Sequence, residues 1–236
     1  MEKPLSLKNF WLRRNRVLVR RRVGGLGDVI MHRMLYEDFK RIDPTIELTS
    51  AAPEPMLDVA RDHPYLDHVV NYAAVNTRDY GVCYDTTTRC RVYEAINAPN
   101  CTLHRSDIWA ESCGVELLSH EMHLQIPEEF TATCKRHIKS GGRKTVLFVP
   151  FTSNGTEKNL SETQALEIIK GLQARGFFVY GIHKENQPVF SESGSESIMT
   201  ADLRTWLGMI AAADYVVSID TAVFHAAGGL KKPLVG

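Results

Sequence analysis

Short apolar runs alternate with amphipathic helical patterns along the whole chain, and this alternation restarts after residue 142. No other feature limits the possible folds as strongly. Parallel strands cannot be joined by a tight hairpin, so each pair needs a crossover, usually a helix. Strand–helix alternation therefore predicts an α/β chain with parallel sheets. In the first half, RVLVRR (16–21), IELTSA (46–51), DHVVNY (67–72) and YGVCYDT (80–86) read as strands. Helical spacing of apolar residues predicts helices over 29–42, 54–63, 88–97 and 105–114. MHLQI (122–126) reads as one more short strand, followed by a helix over 128–139.

SGGRK (140–144) is a polar, glycine-rich break of the kind that links domains. Beyond it, TVLFVPF (145–151) is almost wholly apolar, as a strand covered on both faces should be. Ser161 and Gln164 have capping-box spacing for a helix over 162–175, and Gly176 stands where its C-terminal cap belongs. A strand (177–182), a helix (203–213), a strand (215–219), a helix after Thr221 and a last strand, PLVG, complete the pattern. The expectation is two α/β domains, 1–142 and 143–236, facing each other across a cleft. The ligand would lie near the carboxyl ends of the strands. The length of 236 residues and the 44% hydrophobic content suffice for such cores.

Charge says less. The formal net charge is zero, which removes a global argument for nucleic-acid or membrane binding. Residues 1–41 nevertheless hold eleven Lys or Arg against four acids. That basic edge suits either a solvated surface or an anionic partner. Five cysteines (83, 90, 101, 113 and 134), with no CxxC pair, suggest neither a disulfide framework nor a zinc site. Reduced thiols in a cytoplasmic protein are the expectation. No stretch approaches the ~20 apolar residues of a membrane helix.

Three stretches carry chemistry. In SIDTAVFHAAGGLKKPLVG (218–236), Asp220 ends a strand and Thr221 caps the next helix. The first-turn amides and the helix dipole favour a phosphate there. The Thr221 hydroxyl can bond a phosphate oxygen or its own helix N–H. His225, one turn on, shares its face; the competing reading is an ordinary capped helix with a core-facing histidine. In VPFTSNGTEKNLS (149–161), Lys158 precedes a capped helix, as a point charge for a diphosphate or as a plain surface residue. In RRVGGLGDVI (21–30), Gly24, Gly25 and Gly27 permit a tight turn or close ligand approach. The GxGxxG spacing is absent, which disfavours a nicotinamide cofactor. Asp28, at the helix start, is either a cap or a general base. HEMH (120–123) lacks the spacing of a helical zinc pair, so no metal is expected. Tyr84–Asp85 ends a strand, and Asn100, Asn154 and Asn159 form chance sequons.

Together, GGLGD, the lysine of TEKNLS and DTAVFHAAGGLKKP resemble glycosyltransferase family 9, the ADP-heptose:lipopolysaccharide heptosyltransferase group. The resemblance runs from about Val17 to Gly236 and is loose between 73 and 142. It implies a GT-B fold of two Rossmann-like domains and an inverting, metal-independent transfer without a cofactor. A sugar would pass from a nucleotide-diphosphate donor to the hydroxyl of a glycan or other acceptor. It places Lys158, Asp220, Thr221, Ala222 and His225 at the donor, Gly24, Gly25 and Gly27 in the glycine loop, and Asp28 as the base. Ala222 stands where the family has glycine. The family chain continues beyond the last strand, so the second domain is expected to be truncated here. An anionic acceptor, a peripheral membrane contact and nucleic acid stay open as partners. Two alternatives remain: a non-catalytic nucleotide-sugar-binding protein, and a transferase acting on modified nucleic acid.

Overall fold

The computed structural model describes residues 13–152, 156–183, 188–200 and 202–236. The chain forms two compact units, Met1–His123 and Leu124–Gly236.

The first unit is built on four parallel strands: β1 (Arg16–Arg20), β2 (Glu47–Ala52), β3 (His68–Asn71) and β4 (Val82–Asp85), in the order β3-β2-β1-β4. β1 is central, with Leu18 opposite both Thr49 and Cys83. Its apolar centre, Val17 to Val19, is buried. Because β2 and β3 lie on one side of β1 and β4 on the other, the crossovers change direction next to β1. The loops leaving the carboxyl ends of β1 and β4 therefore diverge and open a crevice.

The helical segment predicted over 29–42 starts three residues earlier and is broken in the middle. Helix α1 (Leu26–Met31) runs into a 3-10 turn (His32–Leu35) and then α2 (Tyr36–Ile42). The turn carries Arg33, only 1% exposed. Its guanidinium donates to the carbonyls of Met122 (2.7 Å), Val59 (3.0 Å), Arg61 (3.0 Å) and His123 (2.5 Å). This corrects the strand expected at 122–126. Met122 and Leu124 are buried as a strand pattern requires, but the segment is irregular. A side chain supplies the donors that a neighbouring strand would otherwise give. Residues 54–59 form a 3-10 helix rather than an α-helix, with Pro55 in its first turn. Helices α3 (Arg89–Asn97) and α4 (Arg105–Ser112) complete the unit.

The second unit opens with α5 (Glu128–His137) and has five parallel strands. They are β5 (Thr145–Val149), β6 (Phe178–His183), β7 (Glu196–Met199), β8 (Tyr215–Ser218) and β9 (Leu234–Val235), in the order β7-β6-β5-β8-β9. Every residue of β5 is buried, as its composition demands. Helices α6 (Glu162–Ala174), α7 (Pro188–Glu192), α8 (Leu203–Ala212) and α9 (Ala222–Gly229) connect the strands. The capping box of α6 is formed in both directions: Gln164 N–H to Ser161 Oγ at 3.2 Å, and Ser161 N–H to Gln164 Oε1 at 2.9 Å. Gly176 has φ +85°, which the helix end requires.

The units divide at His123–Leu124, ahead of the glycine-rich segment at 140–144. Helix α5 packs on α8 and so belongs to the second unit. Gly208 of α8 allows that approach, since a Cβ there would strike Cys134 and Phe130 of α5. The element α7 and the strand β7 were not legible, because PVFSESGSESIM is too polar to show either period. Among the described residues no helix is long and apolar enough to cross a membrane.

Candidate functional site

Both sheets repeat one arrangement: a central first strand, two strands on one side, and a return to the other side. In each unit the diverging loops gather the residues singled out by sequence.

In the second unit those loops follow β5 and β8. Lys158 ends a short 3-10 turn, Thr156–Lys158, just before α6. Its Nζ lies 2.5 Å from Asp220 Oδ2, and His225 Nε2 lies 3.3 Å from the other oxygen, Oδ1. Lys158, Asp220 and His225 thus form one cluster at the start of α9. Asp220 is the most exposed of them and His225 the least. His225 is therefore not the core-facing histidine of the competing reading; its ring turns to the carboxylate. Thr221 is the N-cap of α9: its hydroxyl accepts from Val223 N–H at 3.2 Å and lies 3.1 Å from Ser218 Oγ. Ala222 opens the helix and is half-buried. Behind the cluster Ala226 and Ala227 are fully buried, so small residues seat α9 against its unit. On the loop after β5, Asn159 Oδ1 accepts from Thr152 N–H at 2.7 Å. Asn154 lies outside the described residues.

In the first unit the loops follow β1 and β4. Gly24 has φ +134°, and a Cβ there would lie on the Arg21 guanidinium. This is the one position of the loop that needs glycine. Gly25, extended, is the N-cap of α1, and Gly27 sits inside the helix rather than in the turn expected from the sequence. Asp28 occupies the third helical position, where Oδ2 accepts from Gly25 N–H at 3.3 Å. That is the cap function. The same oxygen lies 2.5 Å from Arg21 Nη2, and Oδ1 lies 3.1 Å from Arg105 Nη1. Arg105 also pairs with Glu94 at 2.8 Å. Arg21 stacks over fully buried Trp109 at 5.1 Å, and among the described residues its Nε and Nη1 have no hydrogen-bond partner.

Sequence reasoning missed Arg21 and Arg105. Arg21 was hidden in the run RRR, which reads as a surface edge, yet it is 6% exposed. Arg105 reaches Asp28 across 77 residues of chain, a pairing no local pattern reveals. The basic edge itself is largely answered within the fold. Arg20 and Arg22 both meet Asp85 at 3.0 Å, Arg16 meets Glu47 at 3.1 Å, Lys40 meets Asp67 at 2.6 Å, and Arg41 pairs with Glu37 and Asp38. Asp85 therefore ties the end of β4 to Arg20, the last residue of β1, and to Arg22 beyond it. The five cysteines form no disulfide; burial pushes the Cys90 and Cys113 thiols up to about 12.

No family model and no curated protein sequence matches the chain. Solved structures do. A glycosyl transferase family 9 structure from Veillonella parvula aligns with TM-score 0.72 at 15% identity, covering 94% of this chain and 80% of that one. The E. coli ADP-heptose lps heptosyltransferase II aligns with TM-score 0.69 at 16% identity, over 93% and 83% of the two chains. The E. coli heptosyltransferase WaaC, solved with ADP-2-deoxy-2-fluoro heptose, aligns with TM-score 0.61 at 14% identity, over 93% and 87%. At such identities the likeness is one of fold, and it spans both α/β units of this chain.

Proposed function

We propose that the chain is a cytoplasmic glycosyltransferase that moves a sugar from a nucleotide-diphosphate donor to an acceptor hydroxyl, with inversion and without a metal ion or cofactor in the transfer step. The observation that carries this reading is the Lys158–Asp220–His225 cluster at the start of α9. A lysine beside a helix N-terminus places fixed positive charge where a leaving diphosphate gains negative charge. Asp220 holds Lys158 until a phosphate takes its place. Thr221 keeps the first turn of α9 in place. The neighbours solved with ADP or its sugar are heptosyltransferases, which supports a nucleotide donor here.

Asp28 is the proposed base. Attack by the acceptor oxygen on the anomeric carbon forms one C–O bond, breaks the bond to the diphosphate, and passes the hydroxyl proton to the carboxylate. Both oxygens of Asp28 are engaged by arginines. An acceptor hydroxyl must therefore replace one of them, and Arg105, the more exposed, is the one that can yield. The same engagement favours a second reading, in which Asp28 is purely structural and the protein binds a nucleotide sugar without transferring it.

Thermal-shift screening with ADP-, UDP- and GDP-sugars, followed by assay of donor turnover with glycan acceptors, separates the readings. Stabilisation by a donor with release of its nucleoside diphosphate supports the transferase. Stabilisation without release supports the binding protein. A shift with none of them removes both.

A further inference from the structure

HEMH lacks zinc-pair spacing along the sequence, but the fold supplies what the spacing does not. His104 is the N-cap of α4, Asp107 is the third residue of that helix, and His120 approaches from the irregular segment after it. One ligand atom from each lies within 4.8 Å of the other two. His120 Nε2 and Asp107 Oδ1 are already 2.9 Å apart, and the His104 and His120 rings meet edge to face at 5.7 Å. Donors around a tetrahedral zinc ion, at ~2.1 Å, stand about 3.4 Å from one another. Small side-chain rotations bring the three atoms to that spacing.

We propose that His104, Asp107 and His120 form a divalent transition-metal site of the zinc class, with two imidazoles and one carboxylate as ligands and solvent in the fourth position. The chemistry of the set fits. Imidazole selects borderline ions over magnesium or calcium, and one carboxylate offsets half of the ion's charge. Asp107 also stands at the positive end of the α4 dipole, which would otherwise repel a cation. His104 Nδ1 accepts the Ser106 N–H at 3.3 Å as the cap of α4, and fully buried Ser106 Oγ lies 2.6 Å from the same nitrogen. Ligation through Nε2 requires Nδ1 to take the ring proton, donate it to Ser106 Oγ and give up that cap bond, which yields the arrangement common around metal-bound histidine. Binding at His120 Nε2 replaces its hydrogen bond to Asp107 and leaves the ring proton on Nδ1.

The site would close the segment 108–119 into a loop stapled at both ends. Arg33 fixes the same segment a few residues on, through Met122 and His123. Arg105, one residue after His104, reaches Asp28, so an ion here would also steady the partner of that carboxylate. The ion would be structural and stands outside the transfer step proposed above; the inference does not depend on that reading.

The test uses the full chain, stripped with chelator and titrated with zinc and with cobalt(II). The expected result is one equivalent bound, a visible cobalt spectrum of a nitrogen–oxygen site, and a melting temperature raised by zinc. His120→Asn and Asp107→Asn should each weaken zinc binding by about tenfold or more and lose the zinc-dependent rise. Both side chains lie at or near the surface, so without metal the variants should melt as the parent does. A parent chain that binds no zinc at micromolar concentration overturns the proposal. So does undiminished zinc binding in both variants that is lost when exposed Cys83 and Cys101 are changed to serine.

Discussion

Lys158 and Asp220 lie 62 residues apart in sequence and 2.5 Å apart in space. The two loops that carry them leave β5 and β8, neighbours in the sheet with the change of connection direction between them. The strand order thus creates the meeting point, and the two charges occupy it.

Both members of this pair are about half exposed, so little of the fold's stability should reside in it. Asp220→Asn is expected to change unfolding free energy in urea by less than about 1 kcal/mol. A much larger loss would mean that the cluster is a structural staple rather than a place kept for a ligand.

Asp28 is the opposite case. It is buried, and its removal leaves the Arg21 guanidinium without its only carboxylate among the described residues. Asp28→Asn should destabilise by roughly 3–5 kcal/mol, as breaking a buried pair does. In single-turnover transfer it should also lose about 10²–10⁴-fold in rate, with donor affinity unchanged. A folded variant that transfers at the parent rate would make Asp28 structural only.

Arg33 gives the strongest stability prediction. Burial pulls its guanidinium down to about 10, yet it stays charged at neutral pH and satisfies four carbonyls. Arg33→Met keeps the volume and abandons those acceptors. A loss of roughly 3–5 kcal/mol in chemical denaturation is expected; a loss under about 1 kcal/mol would show that the segment 122–123 is held by its apolar contacts alone.

Acid should act through three histidines, and burial, with the Arg21 charge, holds one of them, His32, well below the ordinary imidazole range. Burial holds His63 at about 3 and His183 at about 4, so both are neutral in the fold, whereas in the unfolded chain they titrate near 6.5. Below that value the unfolded state takes up protons the fold refuses, so stability falls as pH drops from about 6.5 toward 4. Between pH 7 and 5 the loss should approach about 2 kcal/mol for each ring. Melting curves should be level above pH 7 and fall below 6.5; a flat profile down to pH 5 would contradict this.

Much of this was legible because the parallel sheets force apolar strands and helical crossovers into alternation, and β1, β5 and α6 carry those patterns without conflict. Thr221 as cap and Lys158 beside Asp220 follow from the same loops. The pattern failed where a side chain replaces a strand, as Arg33 does for 122–126, and where polar residues fill a short edge element, as in α7 and β7. It also failed at the arginines around Asp28. Periodicity reports which face is buried; it does not report which charge from 77 residues away arrives to neutralise it.

A nucleoside diphosphate should bind through Lys158 at the start of α9. Isothermal titration calorimetry of the parent chain and of Lys158→Ala with ADP, UDP and GDP tests it most directly. One of the three should bind the parent, and the alanine variant should bind it about 10- to 100-fold more weakly, the cost of one charge-assisted contact. Equal affinity in both proteins, or no binding of any nucleotide to the parent, would contradict the account.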